Sequence, residues 1–123
     1  MLDSHNFPDA PIYFSSVVGH ELYVGAAAQA QRREVDTLWN RFNAVGRLVV
    51  PNDTDWQTAG RVLQEVGSQQ GYGLIGRARL TNDALLAMSA WRLGFTVVTL
   101  NAADFQLLAS YRRFSWRTLG ELT

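Results

Sequence analysis

The chain contains no cysteine, no lysine, two histidines and three prolines among its 123 residues. Without cysteine there is no disulfide, no thiolate metal site and no cysteine nucleophile, and an intracellular, cytoplasmic setting is expected. Without lysine, a lysine-bearing phosphate loop, Schiff-base chemistry and the lysine of a phospho-acceptor receiver are all excluded. Long apolar runs are missing too. No stretch approaches the roughly 18–20 residues of a membrane span, and the opening MLDSHNFPDAP has neither the basic nor the apolar region of a secretory signal. No membrane partner is expected.

Excess charge is also absent, since 11 arginines balance 11 acids. Such a chain is no polycation, so contact with nucleic acid has to come from a local patch. Arginine suits bidentate phosphate recognition, although an all-arginine complement reads first as base composition. The length allows a single domain over residues 1–123 with one buried core. Residues 1–11, with two prolines and no periodicity, read as a loose lead-in.

The rest alternates between helical and strand patterns. Residues 12–14 are a short strand, and Ser15 or Ser16 can cap a helix with Val18, Leu22, Gly25, Ala26 and Ala28 on its inner side. A second helix over 31–45 has the stripe Val35, Leu38, Trp39, Phe42 and Val45, and Gly46 stops it. A strand over 47–50 ends at Pro51. Asp53 or Thr54 then caps a third helix to about residue 70, with Trp56, Ala59, Val62, Leu63 and Val66 inward. GYGLIGRARL has the spacing of neither a P-loop nor a dinucleotide fingerprint and reads as a loop. His5 and His20 have no second histidine at metal-site spacing and read as surface or packing residues.

The organising stretch is 82–105, NDALLAMSAWRLGFTVVTLNAADF. It predicts a helix stopped by Gly94, a β-branched strand over 95–100 buried on both faces, and a new helix capped by Asn101. A short helix over 105–109 and an edge strand over 114–116 follow. In a parallel sheet with such connections, helices start at the carboxyl edge of the strands, where ligands bind. Asp83, Asp104 and, from the first helix, Glu21 are therefore expected on one rim. The plainer reading is that Asp83 and Asp104 serve the helix dipole at two N-termini. Three acids together repel unless a divalent cation lies among them, and oxygen-only ligands select Mg²⁺ or Mn²⁺ over zinc. Metal-dependent phosphodiester hydrolysis is the chemistry of such a site. Arg77 and Arg79, just upstream, are candidates for phosphate contact.

The segments SSVVGHELYVGA, TNDALLAMSAWRLGFTVVT and TLNAADF resemble those around the metal-site acids of PIN-domain ribonucleases, in particular the VapC-type toxins of toxin–antitoxin pairs. The resemblance spans about residues 12–116. It implies a three-layer α/β/α fold with a central parallel sheet, and an Mg²⁺-dependent endoribonuclease in which Glu21, Asp83 and Asp104 are catalytic and metal-binding. Thr99 and Asn101 would be their polar support. It further implies RNA as substrate, a small antitoxin as protein partner and a homodimer. The family opens with a strand ending in a further Asp. Only 17 residues separate Asp3 from Glu21, too few for that strand and the helix after it, so an N-terminally shortened version is expected. The alternative is a non-catalytic PIN-like interaction module with an incomplete metal site.

Overall fold

The computed structural model describes residues 11–73 and 78–122; the lead-in over 1–10 and Arg77 lie outside them. The element order is β1 (Phe14–Ser15), α1 (Ser16–Gly25), α2 (Gln29–Ala44), β2 (Leu48–Val49), α3 (Asp53–Gln70), α4 (Ala78–Leu93), β3 (Val97–Thr99), α5 (Ala102–Ala109) and β4 (Trp116–Thr118), closed by a 3₁₀ turn over Leu119–Leu122. The class is α/β, and both strand pairings are parallel. Among the described residues no helix is long and apolar enough to cross a membrane.

The strands do not form one sheet. β1 pairs with β2 and β3 with β4, giving two separate two-stranded sheets. The expected strand over 95–100 shrinks to Val97–Thr99, of which only Val97 is buried, while Leu100 is 83% exposed. A run without charge reads as doubly covered; here Val97 is buried and Val98, on the opposite face of β3, is exposed.

α4 is the central element. Leu80, Ala84, Leu85, Ala87, Met88 and Ala90 are all buried, and with Ala59, Val62 and Val66 of α3, Val97, Phe105, Leu108 and Phe114 they form one core. Alanines at three of these positions let neighbouring helices approach closely, which is why α4 is buried over much of its circumference. Trp91 of the same helix is on the surface, with the Arg112 guanidinium over its ring at 4.8 Å. Trp56 is exposed as well.

α3 begins at a different cap from the one expected. Asn52 Oδ1 accepts from the Asp55 amide at 2.9 Å, and the Asn52 amide donates to Asp55 Oδ2 at 3.0 Å, a reciprocal box that satisfies two helix-end donors. Asp55 is only 1% exposed. It also receives Arg92, from the last turn of α4, through Nε to Oδ1 and Nη2 to Oδ2, both at 2.9 Å. The start of α3 is thereby locked to the end of α4.

The inner face of α1 also differs from expectation. Val17 and Gly19 are buried, whereas Leu22 and Gly25 are exposed. Small side chains at the end of α1 suggested packing there, but the close approach is one turn earlier. A Cβ on Gly19 would meet ring atoms Cε3 and Cζ3 of Trp39 at 2.6 Å and Phe14 Cε2 at 3.2 Å. Gly19→Ala gains roughly 1 kcal/mol of helix propensity, yet forcing the indole aside costs roughly 1–3 kcal/mol. We expect a net loss of stability on chemical denaturation, and a larger one for Gly19→Val. An unchanged or raised midpoint for Gly19→Ala would show that Trp39 moves freely.

Candidate active site

Three segments supply the site. β3 ends in Thr99, whose Oγ1 accepts from the Asn101 amide at 2.9 Å and so fixes how the chain leaves the strand. Asn101 precedes α5, but its side chain does not cap that helix. Its amide Nδ2 donates instead to Asp83 Oδ2 and to Asp104 Oδ2, each at 2.9 Å. Both hydrogens of one amide thus hold two carboxylates from separate helices side by side.

Asp83 does not sit at a helix N-terminus. α4 starts at Ala78, a turn earlier than its apolar pattern indicated, which puts Asp83 in the second turn. The helix dipole fades beyond the first turn, so it gives no account of a carboxylate there. Asp83 is 7% exposed. Burial is the main reason its pKa rises to about 7, followed by its hydrogen bond with Asp104 and by the negative charges of Asp104 and Glu21; Arg79 opposes them. The cost of ionising Asp83 is what a cation at this position would remove.

Asp104 lies in the first turn of α5, with Arg79 Nε 3.9 Å from its Oδ2. The Arg79 side chain is 67% exposed, and an ion pair so open to water is weak. Its guanidinium is available to a phosphate that approaches the acids.

Glu21, on α1, is half-buried and contributes negative potential at Asp83. It forms no hydrogen bond with the Asp83–Asn101–Asp104 unit. Among the described residues no three Asp, Glu or His side chains are gathered tightly enough to hold a metal ion. The structure therefore brings together Asp83, Asp104, Asn101, Thr99 and Arg79, leaves Glu21 at the margin, and does not describe Arg77 or Asp3. His20 is exposed and stands apart. Asp55 with Arg92 is a second carboxylate–cation unit that sequence reading passed over; the N-cap spacing of Asn52 and Asp55 was the signal for it.

The donor chemistry fits a hard divalent cation. Mg²⁺ is commonly held by one or two carboxylates with waters completing its shell, and Asp83 and Asp104 can supply those two. No protein-family model matches this chain, and neither a curated protein nor a solved structure matches it.

Proposed function

We propose that this chain is a PIN-like, metal-dependent endoribonuclease of the VapC type, with Asp83 and Asp104 as the Mg²⁺- or Mn²⁺-binding acids. The observation that carries the reading is the shared amide of Asn101, which holds two carboxylates together even though one of them is expensive to ionise. A protein has little reason to build such a cluster for stability alone.

Each group has a distinct part. Asp83 and Asp104 would hold the ion, and Asn101, oriented by Thr99, keeps their oxygens in register. Bound Mg²⁺ supplies Lewis acidity at a phosphoryl oxygen and a more acidic water. Glu21 would reach the same rim through water or through rotation of its side chain. Arg79 would take a non-bridging oxygen of the RNA backbone, which positions the strand without reading its sequence. A small antitoxin protein covering the acidic rim would block all of these at once.

Asp83→Asn keeps the hydrogen bond from Asn101 and removes the charge. It should lower Mg²⁺-dependent cleavage of single-stranded RNA by about 10³-fold or more, an effect on the order of 4 kcal/mol, with the fold retained by circular dichroism. Cleavage at the parental rate would remove Asp83 from the site.

The marginal position of Glu21 favours one other reading, a PIN-like interaction module without catalysis. Titration calorimetry separates the two: heat of binding with Mg²⁺ or Mn²⁺ at millimolar concentration or below supports the enzyme, and no heat supports the module.

A further inference from the structure

α2 is held from one side only. Of its 16 residues Val35 alone is buried, while Trp39 and Phe42 are half-buried and their rings meet Phe14. Val45, expected on the same inward stripe, is 65% exposed. A helix turns about 100° per residue, so Ala30, Glu34, Thr37, Leu38, Arg41 and Val45 share a second stripe beside the first. Leu38 is half-buried where the two stripes meet, and the other five are exposed.

Arg33, Glu34, Thr37, Leu38 and Arg41 line a shallow open depression at the middle of this stripe. Four of them, Glu34, Thr37, Leu38 and Arg41, have the spacing of the four residues that form a hole for a side chain of a facing helix. The charges on the stripe are unmatched. Glu34 and Arg41 have no ion pair or side-chain hydrogen bond among the described residues, and no opposite charge stands three or four places from either on the helix. The Thr37 hydroxyl already donates to the Arg33 carbonyl at 2.9 Å, so it brings no unsatisfied donor to a contact.

The stripe is complementary to itself. Glu34 and Arg41 lie symmetrically about the midpoint between Thr37 and Leu38, and so do Ala30 and Val45. A second α2 running antiparallel, related by a two-fold axis through that midpoint, sets Glu34 against the partner's Arg41, Thr37 against the partner's Leu38 and Ala30 against the partner's Val45. A parallel pair would instead oppose like charges. We propose that α2 pairs antiparallel with α2 of a second copy of this chain across that axis, with two reciprocal Glu34–Arg41 ion pairs flanking a centre of Thr37 and Leu38. The formal net charge is zero, so two copies approach without long-range repulsion. One helix against one helix buries less than the roughly 1,200–2,000 Å² of stable interfaces, which makes the pairing reversible and dependent on concentration.

The test is light scattering on the whole 123-residue protein across a concentration series, with charge reversals at the two positions. The parent should rise from 13.7 kDa toward twice that mass as it is concentrated. Glu34→Arg and Arg41→Glu each turn both ion pairs into like-charge pairs, so either variant alone should self-associate about tenfold or more weakly. Both positions are exposed, and each variant should melt as the parent does at low concentration. Mixed in equal amounts, the two variants should pair again, because one chain then brings arginine to both positions and the other glutamate. Both reversals combined in one chain should associate as the parent does. The proposal is overturned if the parent keeps 13.7 kDa at every concentration, if either single variant associates as tightly as the parent, or if the mixture gains nothing over the separate variants.

Discussion

Between about pH 4 and pH 7 the protein should lose stability steadily as the pH rises, and Asp83→Asn should abolish most of that loss. The folded protein holds the Asp83 proton up to about pH 7, whereas the unfolded chain releases it near 3.8. Within that window the folded state binds the extra proton, so it is favoured at the acid end. Stability is full below the lower value, falls through the window and levels off above the higher one, with a loss on the order of 3 kcal/mol. An asparagine accepts the same hydrogen bond from Asn101 without an ionisation to oppose. The variant should match the parent near pH 4 and exceed it at pH 8. Millimolar Mg²⁺ at pH 8 should return part of the loss to the parent and nothing to the variant. Urea midpoints across this range measure the effect. Parallel curves for the two proteins would mean that Asp83 ionises as freely in the folded state as in the unfolded chain. Set beside the cleavage assay of the proposed function, these midpoints separate a structural acid from a functional one, since a functional acid is expected to give a variant that gains stability and loses activity.

The second large effect is expected at Asp55. Its carboxylate is almost wholly buried, closes the N-terminal box of α3 and receives the Arg92 guanidinium twice over. Asp55→Ala removes the cap acceptor and the ion pair together and leaves a void, and we expect it to cost about 3 kcal/mol in urea or thermal unfolding. Asp55→Asn preserves an acceptor for the Asn52 amide and should fall between the two. Arg92→Leu is the more severe change, because it leaves a buried carboxylate with no cation beside it. A melt for Asp55→Ala within one degree of the parent would show that α3 and α4 are held by the core alone. This pair shares no hydrogen bond with the Asp83 cluster, so under the proposed function its variants should retain cleavage at temperatures where they are folded.

The two carboxylates differ in how readable they were. A helix, a strand and a helix start are written into residues 82–105 by local rules: apolar spacing, a glycine at positive φ after the helix, a β-branched run, an asparagine. Those rules place Asp83 and Asp104 near each other because parallel connections return the chain to one edge. They say nothing of the amide that joins them. Asn101 has the side chain of a cap, and only the fold directs it to two acids that sit 18 and three residues away along the chain. Asp55 reads locally as one more acid in a first turn; its burial and its guanidinium partner come from a helix end 37 residues further on.

By itself, then, the sequence determined the parallel α/β alternation, the order of the elements, the stops at Gly46 and Gly94 and the acids that can share a rim, because each depends on periodicity or on the backbone freedom of a few neighbouring residues. The tertiary structure alone decided that Gly19 meets Trp39, that Asp55 is buried against Arg92, that Asn101 bridges Asp83 and Asp104, and that β1 and β3 end up in separate sheets. These depend on which side chains distant segments bring within a few ångströms of one another. That is set by the packing of the whole chain, which no local pattern encodes.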